Sequence, residues 1–224
     1  MDWSRFSDQQ RNVILAGDGP LSILAGPGSG KTTTLAGRIA HLGGERDVPP
    51  TSILAITFTT AAAATLRTRL VTVLGSAANR VDIRTFHSFG LKVIRTWGEE
   101  LGFGSTPPAV YGRDETRALL RQAAEGLGLA LTPDHPAGDA DPWALSISKL
   151  ERSIERLRLC GPTASPGDDS LDPALLRELT SAYESLLRGQ GAVDYPAMLL
   201  LPLRLVEADP RALSTLQDLS LIHI

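Results

Sequence analysis

Hydrophobic and polar positions follow two different regimes along this chain. From residue 1 to about residue 90, short unbroken apolar runs take turns with stretches of helical period. Leu21-Ser22-Ile23-Leu24 is the first such run, and it leads into a glycine-rich turn. The stretch 31–42 then repeats its apolar residues at helical spacing and is closed by Gly43-Gly44. Residues 53–58 form a second run, followed by the alanine-rich, arginine-bearing stretch 61–74, which ends at Gly75. Residues 81–85 form a third and feed a helical pattern from Ser88 to about Leu101. Apolar runs of this kind suit strands buried on both faces. Strand, turn and helix repeated in that order predict an α/β fold with a parallel sheet.

The regime changes at residue 102. Segments rich in Pro, Gly and Asp (102–108, 132–141 and 161–169) separate three helical patterns at 114–127, 143–159 and 173–188. The last opens with Asp172 as N-cap and Pro173 at the first helical position, where the N–H that proline lacks has no partner anyway. Residues 194–207 read as helical again, with Asp194 as cap, and the terminal stretch 219–224 is apolar. The expected organisation is an α/β segment at 1–90, an all-helical insertion at 91–190, and a return to the α/β unit over 191–224.

Composition narrows the class without naming a function. An apolar content of 42% in 224 residues is ordinary for a protein with a buried core. No stretch approaches the roughly 18 consecutive apolar residues of a membrane span. The opening Met1-Asp2-Trp3-Ser4-Arg5 lacks the order of a signal peptide. The single cysteine, Cys160, excludes an internal disulfide and a multi-cysteine metal centre. A cytoplasmic protein with no membrane partner is the expectation. The formal net charge of −3 gives no bulk attraction to nucleic acid, so such a role must rest on local residues. Only three of the 22 basic residues are lysines: Lys31, Lys92 and Lys149. In a chain that otherwise uses arginine, a lysine at a chemically demanding position stands out.

Lys31 occupies such a position. Ala25-Gly26-Pro27-Gly28-Ser29-Gly30-Lys31-Thr32 follows the phosphate-binding loop pattern of Gly, four residues, then Gly-Lys-Ser/Thr, with Ala25 in place of the first glycine. The chemistry needs backbone N–H groups that converge on a phosphate. Gly26, Gly28 and Gly30 allow the required dihedrals, and the helix that begins near Lys31 adds its positive end. Lys31 would neutralise the β- and γ-phosphates and the Thr32 hydroxyl would hold Mg²⁺. Pro27, Ser29 and Thr33 complete the lining. The plain alternative, a glycine-rich turn between strand and helix, leaves the lysine and threonine unexplained.

The flanking segments resemble one family. Phe6-Ser7-Asp8-Gln9-Gln10-Arg11 is similar to the Q motif of superfamily 1 helicases, in which a glutamine reads the adenine edge; Gln10 is the matching position. A carboxamide both donates and accepts, as an adenine edge requires. Ser7 and Gln10 also suit a helix capping box, and the two roles are compatible. Residues 25–42 resemble the UvrD, Rep and PcrA pattern, which implies that Arg38 packs against the adenine; otherwise Arg38 is a solvated helix residue.

Thr57-Phe58-Thr59-Thr60-Ala61-Ala62-Ala63-Ala64 resembles motif Ia of the same helicases, usually Thr-Phe-Thr-Asn-Lys-Ala-Ala, which touches single-stranded DNA. Thr60 and Ala61 depart from it, and the missing lysine removes one phosphate contact. An aromatic at a strand end can stack on a base, and hydroxyls and helix N-termini can hold a phosphate. The alternatives are that Phe58 belongs to the core and that Thr60 caps the helix. Arg84-Thr85-Phe86-His87-Ser88-Phe89 resembles motif Ib, which implies DNA-backbone contacts near Thr85, Phe86 and His87. A histidine at such a junction can equally be a capping or core residue. Val193-Asp194-Tyr195-Pro196-Ala197-Met198-Leu199-Leu200 resembles the block that returns the chain to the ATPase domain, with Asp194 a cap and the rest core.

Together the motifs imply a partial RecA-like P-loop NTPase domain with an inserted helical subdomain. The protein would be the N-terminal part of an ATP-dependent DNA helicase that moves 3′ to 5′ on single-stranded DNA, with ATP and Mg²⁺ as cofactors. A second RecA-like domain and the acidic pair for Mg²⁺ are implied partners of the site and are not in these 224 residues. Either residues 221–224 are the strand preceding that pair, or 220–224 are not native sequence. The expectation for the chain alone is weak Mg·ATP binding without turnover. Other openings are a non-catalytic nucleotide- or DNA-binding module and the helicase part of a helicase–nuclease.

Overall fold

The computed structural model describes residues 3–132, 145–161 and 171–223. They fall into two compact units, Met1–Phe89 with Asp209–Ile224, and Gly90–Ala208. Trp143 and most of the loops expected at 132–141 and 161–169 lie outside the described residues.

The first unit begins with α1 (Asp8–Ile14), α2 (Lys31–Gly44), β1 (Ile53–Thr57), α3 (Thr60–Leu74) and β2 (Asp82–Thr85), which leads into α4 (Phe86–Thr96). It is completed by α9 (Pro210–Gln217) and β5 (Ser220–His223); α5 to α8 belong to the second unit. The three strands form one parallel sheet in the order β2-β1-β5, with Ala55 opposite both Ile83 and Ile222. β1 is buried along its whole length, the signature of a central parallel strand. Leu35, Ile39 and Leu42 of α2 and Leu66 and Leu70 of α3 close over Ile53, Ala55, Ile83 and Ile222. Each aliphatic side chain buried in this way contributes about 1.5–3 kcal/mol relative to exposure.

One expected strand is absent. Leu21-Ser22-Ile23-Leu24 pairs with no strand among the described residues, and Leu21, Ile23 and Leu24 are exposed, Leu24 to 98%. Apolar content suits a segment to a sheet, but a strand exists only through a hydrogen-bonded neighbour, and none is in place beside it. β5 joins β1 directly. Helix α9, which the apolar pattern did not reveal, starts on the Asp209 N-cap with Pro210 in its first turn.

In the second unit, α5 (Arg113–Gly126), α6 (Ile147–Cys160) and α7 (Pro173–Gly189) pack Leu120, Leu150, Ile154, Leu179 and Leu187 into one core. Two-residue strands β3 (Ala109–Val110) and β4 (Ala192–Val193) pair in parallel beside it. The unit runs on past residue 191 through α8 (Tyr195–Ala208), because Val193, Ala197 and Met198 form a small core with Ile94. Helices α4 and α8 meet at Gly90, where any Cβ would lie 1.7 Å from the Met198 carbonyl oxygen. No helix among the described residues is long and apolar enough to cross a membrane.

Candidate nucleotide and nucleic-acid site

The loop before α2 is exposed at Gly26, Pro27, Gly28, Ser29 and Lys31, with Ala25, Gly30 and Thr32 half-buried. Gly28 and Gly30 take φ of 78° and 81°, left-handed values that side chains avoid, so the turn depends on glycine at both places. Gly30 is the N-cap of α2 and offers no side-chain acceptor, and the first turn carries no acidic residue. The free N–H groups at this helix end, with the dipole behind them, therefore remain available to an anion. Lys31 Nζ donates to the carbonyls of Ala25 (3.1 Å) and Gly26 (2.8 Å). The ammonium thus folds back over its own loop, held among the described residues by neutral acceptors alone. Ser29 Oγ also donates to Gly26 O at 2.8 Å, which tightens the turn. Thr32 and Thr33 follow in the first turn of α2.

Gln10 sits against this loop. Its Nε2 donates to Ser29 O at 3.1 Å, and its Oε1 accepts from Ser7 N at 3.0 Å while Ser7 Oγ accepts from Gln10 N at 3.3 Å. The capping box is formed, and the same amide ties α1 to the loop before α2. Arg38 is engaged too: its guanidinium donates to Ile14 O (3.0 Å), to Ala16 O and to Gly17 O (3.0 Å). Burial, with Arg46 nearby, lowers its pKa. Arg38 is neither solvated nor free; it pins the chain that leads from α1 to the loop.

The two aromatic blocks come together through sheet register. Thr57 at the end of β1 lies opposite Thr85 at the end of β2, so Phe58 and Phe86 leave the sheet side by side at the edge where parallel strands end. Ligands of open α/β sheets bind at that edge. Phe58 is 84% exposed and Phe86 39%, so the core alternative for Phe58 fails. The threonines divide their work. Thr57 is fully buried and donates from Oγ1 to Thr59 O at 2.9 Å, so in this structure it shapes the turn and faces no ligand. Thr59, not Thr60, is the N-cap of α3, accepting from Ala62 N at 3.1 Å. Thr85 Oγ1 accepts from Ser88 N at 3.2 Å and Ser88 Oγ from Thr85 N at 2.9 Å, a reciprocal clasp at the start of α4. His87 follows half-buried.

Three features escaped the sequence reading. Arg69 of α3 donates from Nη1 to Thr33 Oγ1 at 2.5 Å; the pair is 36 residues apart and only helix packing joins it. Tyr195, expected in the core, is 57% exposed. Asp194 caps α8 through Ala197 N (2.9 Å), and it also accepts from Tyr183 Oη (2.9 Å) and from Arg158 (2.5 and 3.2 Å). Arg158 Nε lies 3.0 Å from Glu184 Oε1 without hydrogen-bond alignment. Burial pulls the Arg158 pKa down, but the bonds to Asp194 and its charge outweigh that and leave it raised. Burial, reinforced by Asp194, pushes the Tyr183 phenol well above its usual range. A cavity of about 520 Å³ beside this network is lined by Tyr111, Arg152 and Tyr195 among others, and by none of the expected site residues.

Comparison with known proteins agrees with the motif reading at the family level. The family model described as the UvrD/REP helicase N-terminal domain matches residues 6–222. The chain is 34% identical over 206 residues to the ATP-dependent DNA helicase UvrD1 of Mycobacterium tuberculosis, covering 91% of this chain and 26% of that protein. It is 29% identical over 215 residues to the ATP-dependent DNA helicase PcrA of Leuconostoc citreum (95% and 27%). To PcrA of Staphylococcus aureus it is 25% identical over 227 residues (99% and 29%). The chain thus spans between 26% and 29% of the length of these relatives.

Proposed function

Because the chain belongs to the UvrD/REP helicase N-terminal domain family, we propose that it is the part of an ATP-dependent DNA helicase that holds ATP on the loop 25–33 and single-stranded DNA on the edge 58–59 and 85–87, with Thr57 shaping that edge from beneath. The observation that carries this reading is the state of the loop. An exposed lysine and a bare helix N-terminus face solvent together, with no acidic residue in that turn to neutralise them. On binding, Lys31 leaves the Ala25 and Gly26 carbonyls and neutralises the β- and γ-phosphates, while loop amides from Gly26 to Thr32 cradle them.

The chemistry of the donor set fits Mg²⁺: Thr32 offers one neutral hydroxyl oxygen, half-buried in the first turn, and the nucleotide itself brings anionic oxygens. Thr32 would hold the ion, which when bound would supply positive charge against that of the phosphates. Gln10 supports the loop from α1, and a role at the adenine edge requires it to exchange its present bonds to Ser29 and Ser7. Arg38 contributes by fixing the segment 14–17. On the DNA side, Phe58 and Phe86 offer rings for stacking, and Thr59 and the first turn of α3 offer phosphate donors. His87 and Thr85 flank the same edge. In the full-length helicase a second RecA-like domain would complete the nucleotide cleft, and its opening and closing would move the strand past this edge.

The test is direct. The 224-residue chain should bind fluorescent mant-ATP and labelled oligo-dT. Lys31→Ala should abolish the first and leave the second in place. Phe58→Ala should weaken oligo-dT binding by about 1–3 kcal/mol per base stacked, and leave the mant-ATP titration unchanged. Nucleotide binding that survives Lys31→Ala intact defeats the proposal.

A further inference from the structure

We propose that Trp3, clasped by Glu45 and His41 at the far end of α2, is a positioning residue that holds α1 and Gln10 against the loop 25–33 and thereby sets nucleotide affinity. The inference rests on the reading of 25–33 as the nucleotide site and adds a residue from outside every motif. Trp3 Nε1 donates to Glu45 Oε1 at 3.1 Å, and Glu45 Oε2 lies 2.8 Å from His41 Nδ1. The Trp3 ring meets that of His41 edge-on at 6.2 Å and that of Phe6 at 5.8 Å. Helix α2 has 14 residues. At about 1.5 Å per residue the clasp therefore sits roughly 20 Å from Lys31.

Gly37, His41 and Glu45 recur every fourth residue and so form one row along α2. The N-terminal segment lies on that row. Phe6 and Ile14 are buried at Gly37, where a Cβ would come within 2.7 Å of Ile14 Cδ1 and 3.2 Å of Phe6 Cζ. Trp3 extends the contact to the end of the row. Phe6 N donates to Trp3 O at 3.1 Å, which closes a turn just before the Ser7 cap of α1. Helix α1 has only seven residues, and a helix shorter than about 12 residues is marginal in water. Its placement therefore depends on what it docks against. That placement matters at Gln10, whose Nε2 donates to Ser29 O and lies 2.8 Å from where a Cβ on Gly30 would stand. Gln10 thus buttresses the two residues before Lys31. The clasp itself belongs to the rim of the unit, with Trp3 half-buried and Glu45 exposed. Losing it releases a terminal segment locally and leaves the sheet core closed.

The experiment uses the same 224-residue chain, with mant-ATP titration beside urea unfolding. Trp3→Ala should weaken mant-ATP binding roughly three- to tenfold, the scale of one hydrogen bond with one aromatic pair, while the urea midpoint stays in place. In a Gln10→Ala chain the same substitution should have no further effect, because both act on one contact. Glu45→Ala should reproduce part of the loss, and Glu45→Gln, which keeps an oxygen for the indole N–H, should retain the affinity. An unchanged Trp3→Ala titration beside a Lys31→Ala chain that no longer binds overturns the inference and leaves the nucleotide site standing. Full additivity with Gln10→Ala overturns it as well, because Trp3 then acts by another route. So does an affinity loss in Trp3→Ala and Glu45→Ala that only follows a falling urea midpoint, which makes the clasp merely structural. Binding unaffected by Lys31→Ala removes both the inference and the site.

Discussion

Asp194 in the helical unit and Lys31 in the α/β unit are both charged side chains bonded to several groups, and they represent opposite solutions. Asp194 accepts from a guanidinium, a phenol and a backbone amide, and its side chain and that of Arg158 are 6% and 5% exposed. Among the described residues, the exposed Lys31 bonds to carbonyls of its own loop and Arg69 to a hydroxyl, with no carboxylate on either. A buried charge needs fixed compensation, because desolvation costs several kcal/mol per ion. An exposed cation on neutral acceptors gives them up easily. Satisfied, buried charge therefore marks architecture, and exposed charge on replaceable partners is the feature on which the proposed anion site rests.

That contrast can be broken experimentally. Asp194→Ala carries the largest expected effect. It leaves Arg158 in the interior with Glu184 as its remaining carboxylate and should cost about 3–5 kcal/mol in urea unfolding; a loss below about 1 kcal/mol would remove the network from the architecture. Lys31→Ala is the counterpart. It should abolish nucleotide binding while changing stability by less than about 0.5 kcal/mol, the range for surface positions. If the variant unfolds instead, the division between the two kinds of charge is wrong.

Smaller effects sharpen the picture within the α/β unit. Thr59→Ala removes the α3 cap and should cost about 1 kcal/mol of stability by thermal denaturation, whereas Thr60→Ala should be nearly silent. Asp209 is the subtlest. Hydrogen bonds from the Arg211 side chain and backbone push its carboxyl down to about 2. A depressed carboxylate contributes stability that is present above its unfolded value of about 3.9 and lost as pH falls through the folded one. Its carbon resonance, followed by NMR, should therefore still be moving near pH 2; a midpoint near 4 would remove the interaction.

Much of this was readable in the residues. The buried strand at 53–57, the glycine–lysine–threonine turn and the Asp172-Pro173 start of α7 are local devices, set by period, φ preference and capping. The strand expected at 21–24 was misread because pairing belongs to the neighbour as much as to the segment. Tyr195 was misread because helical periodicity gives the spacing of a face and not its direction, and α8 turns Ala197 and Met198 inward and leaves the tyrosine outside. The choice between Thr59 and Thr60 as cap turned on a single residue of helix phase.

By itself the amino-acid sequence determined which residue patterns are present and in what order: a glycine–lysine–threonine turn, two aromatic strand ends and a helical segment after them, because each is written in contiguous residues. Tertiary structure alone decided which side chains meet. Sheet register set Phe58 beside Phe86, helix packing carried Arg69 to Thr33, and burial turned Asp194 from a cap into the centre of a network. Those outcomes depend on contacts between residues far apart in the chain, whose geometry exists only once the cores have closed.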